Sequence, residues 1–261
     1  MKRHAKRRKS AGYQVCAVRV VMAFLATLLL AISLAPGRAH ANDFAPSQRD
    51  EIIAILRDAL KTDPTILRDA VESLQSSQVE QEALATRKMI VAKRDLLFDK
   101  NSPSAGPADA SVTIVEFFDT RCPYCRQIDP MLTSWLAHGP PMRIIYKDIP
   151  ILGPASVLGS KALLAAQRQG GYVGLREAIM QSSPDLTEAS LQTLVTELGL
   201  DWPRLQVDMQ DPAIQRTIDS NLGLARGFGI EGTPAFVVGD RLVVGSDVTE
   251  LQSAISAARP R

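Results

Sequence analysis

The stretch Phe117 to Pro130 constrains the fold of this chain most strongly, because it places two cysteines between a strand pattern and a helix pattern. The preceding run Val112 to Phe118 is mostly apolar, which is typical of a buried strand. After the cysteines, apolar residues recur at the spacing of one helix face: Ile128, Met131, Leu132, Trp135 and Leu136. Cys122 and Cys125 are therefore predicted where a strand ends and a helix begins.

This position gives the two cysteines different chemistry. The first turn of a helix has free N–H groups and a partial positive charge, so it should lower the pKa of Cys122. Cys125 lies one turn further on, close enough to attack a mixed disulfide or close a small ring. Pro123 presets the backbone for the first helical turn. Arg121 and Arg126 add positive charge nearby, and the pattern favours a redox-active pair.

Other uses of the cysteines need to be weighed. A structural zinc site requires four ligands, and outside the N-terminal 41 residues the chain offers only His138 beside this pair, so no metal is predicted. A purely structural disulfide across three residues would stabilise very little. A Cys–His hydrolase is disfavoured because His138 lies on the same predicted helix, with no orienting acid in evidence.

Three motifs together resemble the thioredoxin superfamily, and in particular its DsbA-like thiol-disulfide oxidoreductases. Cys-Pro-Tyr-Cys follows an apolar strand, with Pro130 eight residues past the first cysteine. Glu116, six residues before Cys122, matches the superfamily's buried carboxylate. Thr233-Pro234, within Gly-Thr-Pro-Ala-Phe-Val-Val-Gly, resembles its cis-proline loop. The resemblance covers about Ala105 to Ala258 and implies a thioredoxin-like α/β fold.

The resemblance also implies roles for the site residues. Cys122 would attack and form the mixed disulfide, Cys125 would resolve it, and the two would form the redox disulfide. Glu116, if buried, would carry protons to or from Cys125. The residues expected to form the substrate surface flank the cysteines and the proline loop: Pro123, Tyr124, Thr233 and Pro234. No cofactor is implied.

Residues 1–41 have the pattern of a cleavable signal peptide. Eight basic and no acidic residues accompany an apolar run from Val20 to Ala35, and Ala39-His40-Ala41 is a small-x-small cleavage site. The apolar run is short for a membrane span, although an uncleaved anchor remains an alternative. Cleavage would remove Cys16 and leave 22 basic and 28 acidic residues, so the chain's basic charge does not indicate a nucleic-acid surface.

Residues 42–104 are predicted as a helical arm and linker. Ser47-x-x-Asp50 resembles an N-terminal cap, Asp63-Pro64 restarts the helix, and apolar residues form thin stripes. Such stripes can fold onto the chain's own domain or mediate self-association, and we expect a homo-oligomer. This arm resembles the subgroup that includes suppressor-of-copper-sensitivity protein C. Asn101 to Pro107 reads as a turn-rich linker.

Residues 105–261 are predicted as a DsbA-like thioredoxin domain with a helical insertion at about 155–228. Strands are expected at Val112 to Phe118 and Met142 to Lys147, paired in parallel because a helix connects them. Ala235 to Val238 and Arg241 to Val244 flank Gly239-Asp240 as a two-residue hairpin. A final helix carries Val248, Leu251 and Ile255.

The sequence therefore predicts a periplasmic enzyme that exchanges disulfides with cysteine-containing exported proteins. A membrane redox partner is expected to recycle the pair, and no nucleic acid is involved. The helical arm and the threonine before Pro234 favour an isomerase or reductase. Two alternatives stay open: a monomeric disulfide-forming oxidase, and a non-catalytic protein whose thiols hold copper.

Overall fold

The computed structural model describes residues 45–259, so the predicted signal peptide and Cys16 lie outside the described residues. The chain divides into two compact units, one ending at Val71 and the other beginning at Glu72. In the first unit, helix α1 spans Pro46–Thr62, and helix α2 (Thr65–Ala92) begins there. Large apolar side chains of α1 are exposed, including Ile55 and Leu56.

The predicted cap at Ser47-x-x-Asp50 is wrong. Helix α1 already begins at Pro46, whose ring fixes a helical φ at the first position. The N–H group of Ala45 instead donates to Oε1 of Gln48 at 2.9 Å. The predicted restart at Asp63 is confirmed, because its Oδ1 accepts from the Thr65 N–H at 3.0 Å.

The second unit alternates strands and helices around one sheet. Its elements after α2 are α3 (Arg94–Leu97), β1 (Ser104–Ala105), β2 (Val112–Phe118), α4 (Pro123–His138), β3 (Met142–Asp148), α5 (Pro154–Gln167), α6 (Tyr172–Gln181), α7 (Glu188–Glu197), α8 (Trp202–Met209), α9 (Pro212–Gly227), β4 (Ala235–Val238), β5 (Arg241–Val244) and α10 (Val248–Ala257). Helices α5 to α9 form the predicted insertion between strands.

The five strands form a mixed sheet in the order β1-β3-β2-β4-β5. Strands β2 and β3 pair in parallel, as the sequence predicts, and the other neighbouring pairs are antiparallel. The central strand β2 is buried on both faces. Phe118 packs in the larger core with the cysteines and the inserted helices, whereas Phe117 packs in a second core with Leu97 and Ile90.

The segment Asn101 to Pro107 differs from the predicted linker. Ser104 and Ala105 form an edge strand against β3, and the ammonium group of Lys147 donates to Ser102 Oγ at 2.8 Å. The same ammonium group donates to the Leu96 carbonyl oxygen at 2.6 Å. The end of the helical arm and this segment are thus tied to the sheet, because their polar groups satisfy a buried lysine.

No helix among residues 45–259 is both long and apolar enough to cross a membrane. Side chains cap the inserted helices α7 and α9 at their N-termini. Asp211 Oδ1 accepts from the Ala213 N–H at 2.8 Å at the start of α9, and Thr187 accepts from the Ser190 N–H at 3.2 Å at the start of α7.

Candidate active site

Cys122 is the N-cap residue of helix α4, immediately after the loop that follows β2. Its N–H group donates to the Asp119 carbonyl oxygen at 3.1 Å, and its own carbonyl oxygen accepts from the Arg126 N–H at 3.1 Å. Pro123 occupies the first helical position, where its missing N–H group has no cost. The predicted junction of strand and helix is therefore confirmed.

The Cys122 thiol is the more acidic of the two. A hydrogen bond from the Cys125 thiol, one with Thr233 and the N–H groups of Cys125 and Tyr124 lower the pKa of Cys122 to about 6, although burial opposes them. The two N–H groups belong to the helix N-terminus, which directs such donors at an anion. At neutral pH the group is therefore mainly a thiolate, which is the nucleophilic form.

Cys125 lies beneath Cys122 and is completely buried. Burial raises the pKa of Cys125 far above the usual range for a thiol, and its hydrogen bond to Cys122 and the negative charge of Glu116 act in the same direction. The structure contains both cysteines as free thiols. One sulfur is thus prepared to attack while its neighbour keeps its proton.

The Thr233-Pro234 loop lies against the cysteine pair. The Cys122 thiol donates to the Thr233 carbonyl oxygen at 3.1 Å, across 111 residues of sequence. The Thr233-Pro234 peptide bond is cis, as predicted, and strand β4 begins at the next residue. The loop thus places the backbone carbonyl group of Thr233 beside the Cys122 sulfur.

Glu116 is fully buried on β2, on the same sheet face as Phe118 and the cysteines. Its Oε2 accepts from Nη2 of Arg176 at 3.0 Å, and Oε1 has no hydrogen-bond partner among the described residues. Burial raises the pKa of Glu116 to about 7; the Arg176 charge opposes this rise and the Asp129 charge adds to it. The carboxyl group is thus able to gain or lose a proton near neutral pH.

Arg121 and Arg126 form specific hydrogen bonds in addition to placing positive charge near the cysteines. Arg126 donates to three backbone carbonyl oxygens, those of Thr120, Met180 and Ser182. Arg121 donates to the Leu152 carbonyl oxygen at 2.7 Å and to Asp185 at 3.0 Å. Both arginines therefore join the active-site loop to the inserted segment, which their position in the sequence did not indicate.

Exposed apolar side chains occur beside Cys122 in sequence and in the loop that binds Asp119. Tyr124 is 59% exposed, and Ile151 and Leu152 follow β3 with 42% and 39% of their surface exposed. The buried carboxylate of Asp119 fixes this loop by accepting from the Ile151 and Leu152 N–H groups at 2.8 and 3.0 Å.

Sequence reasoning missed the buried polar residues behind the cysteines. Arg176 and Asp129 pair with each other, and Tyr172 donates to Oδ2 of Asp148 at 2.7 Å. Burial raises the pKa of Asp148 to about 7. The only sequence signal was charged residues on otherwise apolar helix faces. His138, at the end of α4, is exposed, and its Nδ1 lies 3.3 Å from the Ser134 carbonyl oxygen on the same helix.

Two family profiles match the chain. The DSBA-like thioredoxin domain matches residues 113–256 and the copper resistance protein ScsC N-terminal domain matches residues 48–81. The chain belongs to the DSBA-like thioredoxin domain family. The predicted thioredoxin-like fold with inserted helices, and the predicted similarity of the arm to the ScsC subgroup, are both confirmed.

Individual relatives agree with this assignment. The thiol:disulfide interchange protein DsbA of Bordetella pertussis is 26% identical over 54% of this chain and 69% of its own length. ScsC of Proteus mirabilis in a transitional conformation is 29% identical, with a TM-score of 0.60 over 82% of this chain and 98% of that chain.

A third relative is much longer than this chain. The Na(+)/H(+) antiporter NhaA 3 of Salinispora tropica is 28% identical over 59% of this chain, and the match spans 24% of the antiporter's length. The similarity to this chain therefore concerns one part of the antiporter.

Proposed function

We propose that this protein is a thiol-disulfide oxidoreductase that exchanges disulfides with exported proteins through Cys122 and Cys125. The observation that carries the proposal is the unequal pair: a thiol with its pKa lowered to about 6 at a helix N-terminus, above a buried thiol that retains its proton. This arrangement supports nucleophilic attack by one sulfur and resolution by the other. A zinc site or a structural crosslink does not require this asymmetry.

The proposed reaction has two displacements. The Cys122 thiolate attacks a disulfide of the substrate, forms a mixed disulfide and releases one substrate thiolate. The Cys125 sulfur then attacks the Cys122 sulfur, its proton passes to Glu116, and the second substrate thiolate leaves. The backbone at Thr233, next to the Cys122 sulfur, and the exposed Tyr124 are proposed to hold the substrate during both steps.

We favour isomerisation or reduction of substrate disulfides over their formation, and the argument comes from the helical arm. Leu74 is 71% exposed, Val79 64% and Ile55 64%, so one chain leaves its predicted stripes uncovered. We propose that copies of the chain associate through residues 42–104 and cover these stripes. Several catalytic domains facing one substrate would raise the local thiol concentration, which favours reshuffling over a single oxidation.

Copper handling is the second candidate, because the profile matching residues 48–81 is described as part of a copper resistance protein. Two thiolates are soft ligands that suit Cu(I). Residues 45–259 contain no group of three or more histidine, cysteine, aspartate or glutamate side chains placed to hold a metal ion. A copper role would therefore rest on the same cysteine pair, within one chain or between chains.

Export by a cleaved signal at residues 1–41 and recycling by a membrane redox partner complete the proposal. One comparison tests it: the same sample is given a scrambled disulfide protein to refold and a reduced protein to oxidise. Faster recovery of the scrambled protein supports an isomerase, and faster oxidation supports the oxidase alternative. Cys125→Ser should accumulate mixed disulfides with substrates, and Cys122→Ser should abolish exchange. Exchange that survives Cys122→Ser would refute the proposed chemistry.

A further inference from the structure

Arg176 connects the inserted helices to the carboxylate beneath the cysteines. It lies on α6 and is only 2% exposed. Its two terminal nitrogens bind different acids: Nη2 donates to Glu116 on β2, and Nη1 donates to Asp129 on α4. Asp129 lies four residues after Cys125, about one helical turn further along.

Two aromatic rings restrict the guanidinium group further. Its central carbon lies 4.7 Å from the centre of the Phe118 ring and 4.4 Å from that of Tyr146. Both distances are within the range of cation–π attraction. A buried arginine with two carboxylate partners and two rings has one well-defined position, which a lysine would not reproduce.

One guanidinium group serves two carboxylates in this cluster. Arg176 supplies one positive charge to Glu116 and Asp129, and its own position is fixed by both. Other titratable groups whose charges act within the cluster are Cys125, Arg126, Tyr146, Asp148, Tyr172 and Glu177. Of the two carboxylates that Arg176 binds, Glu116 is the one with a buried oxygen, Oε1, that has no hydrogen-bond partner among the described residues.

We infer that Arg176 is a positioning residue for the resolving step: it holds Oε2 of Glu116 and leaves Oε1 to accept the Cys125 proton. The inference rests on the proposed function. In that step the Cys125–Cys122 sulfur bond forms, the bond from Cys122 to the substrate sulfur breaks, and the electron pair leaves with the substrate. The proton moves from Cys125 to Glu116, and no further reactant is needed.

The inference predicts that two variants shift the pKa of Glu116 in opposite directions. Arg176→Met removes the charge that lowers the pKa of Glu116, so the carboxylate should form only at higher pH. Asp129→Asn removes the charge that raises it, so the carboxylate should form at lower pH. The acidic limb of the pH profile of the resolving step, where the Glu116 carboxylate forms, should follow each change, with an upward shift on the order of 1–3 pH units for Arg176→Met.

The test uses one equivalent of dithiobis(nitrobenzoate) and the full chain carrying Cys16→Ser. The first aryl thiolate released reports attack by Cys122, and the second reports resolution by Cys125. Arg168→Met is the matched control, because Arg168 also pairs with two carboxylates, Asp208 and Asp211, but at the surface. We expect the first phase to be unchanged in every variant and the second phase of the control to match the parent protein.

Three results would overturn the inference. The acidic limb of the second-phase pH profile could stay unshifted in Arg176→Met, it could shift in the same direction in Arg176→Met and Asp129→Asn, or it could persist in Glu116→Gln. If circular dichroism shows that Arg176→Met does not fold, Arg176→Lys replaces it. In Arg176→Lys we expect the acidic limb of the profile to stay near its original pH, because the positive charge remains. The second phase should slow, because lysine cannot bind Glu116 and Asp129 with two separate nitrogens as the guanidinium group does. An unchanged second phase in Arg176→Lys would refute positioning.

These outcomes are separate from those of the proposed function. The aryl disulfide needs no protein substrate, so both phases can be measured even if no exported protein is exchanged. A chain that resolves the aryl disulfide with the expected shifts but leaves scrambled proteins unchanged would retain the Arg176 inference and refute the proposed function.

Discussion

The hydrogen bond from Cys125 to Cys122 is expected to set the acidity of the nucleophile. It is the largest of the interactions that lower the pKa of Cys122 from 9.0 to about 6. A hydrogen bond to a charged group contributes about 1.5–3 kcal/mol, and one pKa unit corresponds to about 1.4 kcal/mol. Cys125→Ala should therefore raise the midpoint of Cys122 ionisation by about 1–2 pH units.

The ionisation midpoint of Cys122 tests this prediction better than its alkylation rate at a single pH. At pH 7 a thiol with a pKa of about 6 is about 90% ionised, compared with about 1% for one at 9.0. The nucleophilicity of a thiolate falls with its pKa, by about 16- to 32-fold over this range. The net advantage at pH 7 is then only about 3- to 6-fold. Rates must therefore be measured across pH.

The assay is the rate of iodoacetamide alkylation of Cys122 from pH 4 to pH 10, with Cys16→Ser in every protein. Cys125→Ser is the matched control, because its hydroxyl group keeps a donor at the same position, and its midpoint should stay closer to that of the parent. In the parent protein Cys125 itself should remain unmodified near neutral pH. An unchanged midpoint in Cys125→Ala, or equal shifts in the alanine and serine variants, would refute the reasoning and assign the acidity to the helix N-terminus.

Three further predictions concern the rest of the chain. Leu74→Asp should reduce the oligomer to a monomer in light scattering, whereas Val207→Asp, at a site similarly exposed (74% against 71%), should not; a monomeric parent would contradict the arm's role. Gly159→Ala should lower the free energy of unfolding by about 1–3 kcal/mol in urea denaturation, since its Cβ would lie 2.6 Å from a threonine hydroxyl. Gly174→Ala, with ordinary contacts, should raise it by roughly 0.5–1 kcal/mol, and equal effects would refute the steric argument. Burial raises the pKa of Asp148 from 3.8 to about 7, so the folded protein holds an extra proton between these values and its stability falls as pH rises through them; Asp148→Asn should flatten that decline, and an unchanged slope would contradict it.

The elements of the fold follow largely from local sequence. Strands β2, β4 and β5 have the predicted bounds, and β3 is one residue longer than predicted. Apolar runs, helical periodicity and a Gly-Asp turn are signals that each segment carries alone. The short strand β1 has no such signal, because its two residues become a strand only by pairing with β3.

The sequence by itself determined the reactive centre of this protein, since the spacing of Cys122, Pro123 and Cys125 places a thiol at a helix N-terminus in any fold that keeps the helix. Only the tertiary structure decided what lies beneath it. Arg176 meets Glu116 across 60 residues and Asp129 across 47, and neither pairing follows from local pattern. Burial then raises the pKa of Glu116, because the cost of a buried charge depends on every group packed around it.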